Sequence, residues 1–158
     1  MPSQVLSEQS LSVQAFAALI RAHATATRRL NTQLTADHGL TISDYEVLLR
    51  LSWAPDRRMR RVDLAEQVLL TASGITRLLD GLERSGLVER GMCDTDRRVV
   101  YAVLTDAGLS KLEDASASHF PQVDELFGRF ESSELDDLRA LLARLGEEQA
   151  PDCAPPAA

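Results

Sequence analysis

Asp63-Leu64-Ala65-Glu66, followed by Thr71-Ala72-Ser73-Gly74-Ile75-Thr76-Arg77-Leu78-Leu79-Asp80-Gly81-Leu82-Glu83, is the stretch on which the reading of this chain turns. Ile75, Leu78, Leu79 and Leu82 fall at i, i+3, i+4 and i+7, so one side of a single helix is apolar. Thr71 stands where an N-cap belongs, with a hydroxyl able to accept from an otherwise free amide. If the apolar stripe faces inward, Ser73, Thr76, Arg77 and Asp80 face out. Small hydroxyls and an arginine near a helix N-terminus suit the major groove of a duplex. The free amides and the dipole favour a phosphate there, and the arginine reaches base edges. Leu64, Ala65 and Val68 mark a shorter helix just before.

Ser85-Gly86 stops the second helix of the pair. Leu87 to Arg90 and Val99 to Leu104 then read as two strands rich in β-branched residues, joined by a polar loop from Gly91 to Arg98. That loop ends in Asp96-Arg97-Arg98. Adjacent arginines at a hairpin tip fit a narrow minor groove, whose negative potential attracts them, and a neighbouring carboxylate can orient one guanidinium. Thr105 and Asp106 open a further helix whose apolar face runs through Leu109, Leu112, Phe120, Val123, Phe127 and Phe130. Pro121 is expected to interrupt and kink it. A last helix carries Leu135, Leu138, Leu141, Leu142 and Leu145.

On the N-terminal side, Val13, Phe16, Ala17, Ile20, Ala24, Thr27 and Leu34 follow helical spacing from about residue 10 to 37, with Gly39 as a left-handed stop. A second helix is expected to start at a capping box formed by Ser43 and Glu46. Tyr45, Leu48, Leu49 and Trp53 form its apolar face, and Pro55-Asp56 ends it. Trp53 and Tyr45 read as core residues. From Ala150 onward the Pro- and Ala-rich sequence reads as a disordered tail.

The 158 residues carry a formal charge of -7, which argues at first against a nucleic-acid partner. Distribution reverses that impression. Nine arginines face seven acids between Arg57 and Arg98, whereas the remainder holds eight cations against seventeen acids. Basic charge is thus gathered where a phosphate-facing surface needs it. Arg58, Arg60 and Arg61 are candidate phosphate contacts, with an exposed basic loop as the alternative.

Two cysteines, Cys93 and Cys153, are too few for a disulfide framework, and the three histidines lie apart, so no metal or other cofactor is implied. Cys93 sits near the wing tip, but Asp94 and Asp96 oppose the depressed thiol pKa that a redox role needs. His23, midway along the first helix, is a weak candidate for an effector cavity, against a packed or solvent-facing side chain. The apolar run Ala15 to Ile20 is too short to cross a bilayer and resembles no export signal, which points to the cytoplasm and away from membranes.

The order helix, helix, helix, strand, loop, strand, helix, helix gives a mainly α fold with a small β-wing. It is a winged helix-turn-helix flanked by long N- and C-terminal helices. Residues 1–40 form an N-terminal helix, 41–104 the winged lobe, 105–149 the C-terminal helices, and 150–158 the tail. The quoted helix-turn-helix run resembles that of the MarR family (multiple antibiotic resistance regulators). So do Gly86-Leu87-Val88-Glu89-Arg90, Asp96-Arg97-Arg98 and Leu104-Thr105-Asp106-Ala107-Gly108. The likeness spans about residues 10 to 148.

It implies a homodimer built from the terminal helices, a winged lobe in each subunit, binding to a palindromic double-stranded operator, and release by a small-molecule effector. Carried over by position, Ser73, Gly74, Thr76 and Arg77 lie on the recognition helix, and Arg98, braced by Asp96, matches the wing-tip arginine. Where the family often has glycine in the turn between the two motif helices, this chain has Leu69.

A repressor is the leading reading, with an activator as its variant. A protein-interaction module that kept the fold is the second, opposed by the wing arginines and the surface from Thr71 to Arg77. An enzyme is the third. It is opposed by the lack of any metal set, nucleophile–base pair or phosphate loop in the sequence.

Overall fold

The computed structural model describes residues 10–92, 96 and 98–146. Arg97, Cys93 and the tail assigned to residues 150–158 lie outside them. The chain divides into two compact units, one ending at Gln122 and one beginning at Val123.

The first helix, α1 (Leu11–His38), ends as its sequence requires. Gly39 adopts φ 66°, and the amides of Gly39 and Leu40 bond back to Thr35 and Leu34. Only Leu30 and Leu34 of α1 are buried, while Phe16 and Ile20 are exposed. The apolar stripe expected from Val13 onward is therefore packed within its own chain only at its C-terminal end.

Helix α2 (Ile42–Trp53) starts two residues earlier than the Ser43–Glu46 box would place it. Thr41 is the N-cap; its hydroxyl accepts from the Asp44 amide while the Asp44 carboxylate accepts from the Thr41 amide. A second constraint fixes that start: Asn31 Oδ1 of α1 accepts from the Ile42 amide at 2.9 Å. Tyr45, Val47, Leu48 and Leu51 are buried on α2, but Trp53 is 68% exposed. The expectation of a core tryptophan is thus corrected. Position 53 is the last of the helix, and the face that packs inward there ends at Leu51.

A single 3-10 turn (Pro55–Arg57) follows, with Asp56 and Arg57 both at positive φ. It feeds a strand that sequence reading placed in a basic loop: β1 (Arg58–Arg60) pairs antiparallel with β3 (Val100–Leu104) in the register Arg58↔Val103, Met59↔Ala102, Arg60↔Tyr101. The hairpin partner β2 (Val88–Met92) takes the other edge of β3, giving the order β1-β3-β2. Alternation along β3 turns Ala102 and Leu104 inward, where they meet Val88 and the helices in one core.

Helices α3 (Arg61–Gln67) and α4 (Ala72–Arg84) form the expected pair. Leu64, Ala65, Ile75, Leu79 and Leu82 are buried in the same core as Leu34, Leu48 and Leu51. Helix α5 (Asp106–Phe127) begins with Thr105 Oγ1 accepting from the Gly108 amide and donating to the Gly86 carbonyl. Gly108 is required there: a Cβ at that position would lie 2.0 Å from the Leu87 carbonyl oxygen. Leu112, Ala115 and His119 are its buried residues beyond Gly108. Pro121 lies inside α5, which continues past it to Phe127.

In the second unit, α6 (Ser132–Gly146) buries no residue, and Leu138, Leu141, Leu142 and Leu145 are exposed. Before it, the Phe127 and Phe130 rings lie 6.2 Å apart.

Candidate nucleic-acid interface

Helix α4 is oriented by its buried stripe. Ile75, Leu79 and Leu82 are inside and Leu78 is half-buried, so the opposite edge is set without choice. On that edge Ser73 and Arg77 are exposed, and Thr76 and Asp80 are half-buried. The N-terminus is capped by Thr71, whose Oγ1 accepts from the Gly74 amide at 3.1 Å and sits 3.2 Å from Ser73 Oγ. Gly74 matters to this cap, since a Cβ there would come within 3.1 Å of the same oxygen. Thr76 Oγ1 donates to the Ala72 carbonyl, which holds its methyl and oxygen in one orientation. Arg77 makes no ion pair among the described residues. Five residues singled out from sequence, Thr71, Ser73, Gly74, Thr76 and Arg77, therefore share one turn and a half of helix end.

The turn before α4 departs from simple chain geometry. The Leu69 amide donates to the Glu66 carbonyl and the Leu70 amide to the Ala65 carbonyl, which is the Schellman arrangement at the C-terminus of α3. Leu69 fills the left-handed position, at φ 54°, and its side chain is 91% exposed. The leucine adopts the conformation that glycine would take.

At the wing, Asp96 Oδ1 accepts from both the backbone amide (3.0 Å) and Nε (3.3 Å) of Arg98, whose side chain is 93% exposed. One carboxylate thus fixes both the backbone and the guanidinium of the arginine it accompanies. Arg97, placed beside it by sequence, lies outside the described residues.

Sequence reading did not single out Arg90. From β2 its Nε reaches Glu83 at 2.9 Å and its Nη2 reaches Asp80 at 2.8 Å, both on α4. The hydrogen bond and charge of Glu83, then of Asp80, raise the Arg90 pKa above its ordinary value. The guanidinium ties the base of the wing to α4 and offsets part of the negative charge of the two acids on that helix. No local period announced it. Glu83 and Asp80 lie seven and ten residues back, on a helix, while Arg90 stands on a strand, so neither one helical nor one strand repeat relates them.

The basic segment ahead of α3 is divided among separate tasks. Arg57 pairs with Asp106 at 2.9 Å, and Arg60 makes a bidentate pair with Asp63 at 2.6 and 2.7 Å. Asp63's hydrogen bond and charge raise the Arg60 pKa. Arg58 stacks over the Tyr101 ring at 4.1 Å, and Arg61 is half-buried at the start of α3. His23 lies on the exposed surface of α1, its Nε2 3.5 Å from Thr27 Oγ1.

The MarR family model matches residues 40–100. A Bacillus subtilis HTH-type transcriptional repressor, YetL, is 32% identical over 112 residues, which is 71% of this chain and 67% of that protein. Among solved structures, AbsC, a MarR family transcriptional regulator from Streptomyces coelicolor, superimposes with a TM-score of 0.79. It is 30% identical and covers 89% of this chain and 95% of its own. Sco3205, a MarR family regulator from the same organism crystallised with DNA, gives a TM-score of 0.82 at 27% identity, covering 95% and 96% of the two chains.

Proposed function

The chain belongs to the MarR family and is a DNA-binding transcription regulator rather than an enzyme; from that premise we propose that it is a homodimeric repressor that grips a palindromic operator and is released by a small-molecule effector. One observation carries the reading. A helix edge of Ser73, Thr76 and Arg77 and a wing arginine braced by Asp96 project from the same lobe, and neither arginine is satisfied by burial. Thr71, Ser73, Gly74, Thr76 and Arg77 enter the major groove, with the capped end of α4 against a phosphate. Arg98, with Asp96 and Arg97, enters the adjoining minor groove, and Arg60 and Arg61 flank the backbone at the start of α3.

Dimerisation is supported by apolar surface that the single chain leaves uncovered. Phe16 and Ile20 on α1 and Leu141 and Leu145 on α6 are each more than half exposed. Two lobes held by such helices suit a two-fold operator, because the symmetry of the site mirrors that of the protein. An effector lowers affinity by binding better to the lobe spacing that cannot reach both half-sites. Among the described residues no helix is long and apolar enough to cross a membrane, and the protein works in the cytoplasm beside its operator.

The test is a gel-shift titration on a genomic duplex recovered with the protein. Arg98→Ala should weaken binding by about 1–3 kcal/mol, roughly five- to 150-fold. Affinity should also fall steeply with added salt as phosphate contacts release counterions. Unchanged affinity in Arg98→Ala together with a flat salt response would refute the interface.

A further inference from the structure

Among the described residues, His119 is the one histidine, acid or base that is buried. It stands on α5, two residues before Pro121 and three before Gln122, where the first compact unit ends. Proline has no amide to donate, so the Ala117 carbonyl lacks the partner that would close its turn, and α5 bends most easily there. A buried titratable ring thus sits in the weakest turn of a 22-residue helix.

That turn is held by contacts to α1 and α2. The Tyr45 ring of α2 lies 4.7 Å from the imidazole, centre to centre, and the Tyr45 hydroxyl is 2.9 Å from Ser116 Oγ. From α1, Gln33 Nε2 donates to Ser118 Oγ at 3.3 Å and to Asp37 Oδ2 at 2.9 Å, and His38 Nε2 lies 2.6 Å from the same Ser118 oxygen. Ser118 donates its own proton to the Ala115 carbonyl. His38 is therefore the donor to Ser118, and it keeps that bond whether charged or neutral. His119 has no such arrangement. Its Nδ1 is buried without a hydrogen-bond partner. Burial lowers its pKa, and no charged group of α1, α2 or α5, Asp37 and His38 included, offsets that. An imidazolium carries two N–H donors, and a charged donor left unpaired in an apolar seat is far costlier than a neutral ring.

We propose that α5 is an acid-sensitive hinge: a proton taken up by His119 expels the ring from beside Tyr45, frees α5 to bend at Pro121, and so releases the operator. In the open form the imidazole meets water, where its pKa returns to about 6.5. Below that pH each further unit favours the open form over the seated one by up to about tenfold per protomer. Two lobes meet both half-sites of an operator only while each α5 keeps its seat. The sign is distinctive, because general acidification removes negative charge from the protein and strengthens its attraction to phosphate. Operator release rests on the operator-binding reading above; the opening of α5 does not.

Full-length protein is followed at pH 7.5 and 5.5 by hydrogen exchange, corrected for the intrinsic rate at each pH, and by anisotropy with a genomic duplex that it binds at pH 7.5. At pH 5.5 the α5 amides around His119 should lose about tenfold in protection while those of α3 and α4 keep theirs. Operator affinity should fall about fivefold or more, with circular dichroism and light scattering unchanged. His119→Gln, which takes up no proton, should abolish both changes, and His38→Gln should leave both in place. Unaltered α5 protection, an equal loss in α3 and α4, or an undiminished acid response in His119→Gln would overturn the hinge. Open α5 with steady or rising affinity would overturn its link to release. No duplex binding at pH 7.5 would count against the operator reading instead, and exchange would still decide the hinge. If His119→Gln folds poorly, ring resonances of the unaltered protein decide: the His119 signal must titrate in step with the α5 amide shifts, and shifts that follow His23 or His38 instead overturn the inference.

Discussion

Replacing Leu69 by glycine should stabilise the protein without changing its grip on DNA. Leu69 holds φ 54° at the left-handed position of the Schellman motif that ends α3. For an L-residue that conformation costs about 1–2 kcal/mol, because Cβ crowds the following carbonyl. Glycine has no such penalty, but its freer unfolded chain takes back about 0.4–1 kcal/mol. With 91% of the leucine exposed, its removal forfeits almost no packing. Taking the middle of each range, the net gain is roughly 0.8 kcal/mol, or about 2–3 °C in Tm for a chain of this size. Leu69→Ala is the control, since alanine keeps the Cβ and should leave stability nearly unchanged. Both variants are compared with the parent by thermal and urea unfolding at one protomer concentration, because the stability of the proposed dimer would depend on it. The backbone path is the same in all three, so α4 keeps its attitude and operator affinity stays level. A glycine variant no more stable than the parent, or an alanine variant gaining as much, would refute the assignment of strain to this turn.

Three further outcomes follow from the geometry. Arg90→Gln removes the link between the base of the wing and both Asp80 and Glu83. Operator affinity measured by anisotropy should fall, though less than in Arg98→Ala, while the circular dichroism stays that of the parent; equal affinity would deny Arg90 a positioning role. His119 is 6% exposed beside the Tyr45 ring at 4.7 Å, and burial lowers its pKa from the ordinary histidine value. The folded state therefore binds fewer protons than the unfolded one, so its stability is complete above about pH 6.5 and is lost as pH falls below it. Melting curves from pH 7.5 to 5 should show that decline, and His119→Gln should shrink it; an undiminished decline would place its origin elsewhere. Leu142→Glu puts a charge on the uncovered face of α6. Light scattering should report a shift from dimer to monomer, and operator affinity should drop about a hundredfold or more as the paired lobes separate. A variant that remains dimeric would rule out that face as the interface.

Much of the fold could be read locally. The stripe Ile75, Leu78, Leu79, Leu82, the caps at Thr71 and Thr105 and the stop at Gly39 each depend on residues within one or two helical turns. The structure places them as their spacing implies. The Asp96–Arg98 brace was legible for the same reason, its partners being two residues apart. Where two local signals competed, sequence chose wrongly. Ser43–Glu46 and Thr41–Asp44 carry the same spacing, and the second prevails where the Asn31 side chain, eleven residues away, accepts from the Ile42 amide. No period exists in Arg58-Met59-Arg60 to announce a strand, since three residues become one only by pairing with β3 more than forty positions on.

The sequence by itself determined the type and order of the helices, the wing hairpin and the polar edge of α4, because periodicity and capping are properties of a dozen neighbouring residues. Tertiary structure alone decided that Trp53 faces solvent, that Arg90 serves α4, and that His119 is buried beside Tyr45. Those placements depend on which elements meet across the fold, and burial and charge pairing act through space without regard to distance along the chain.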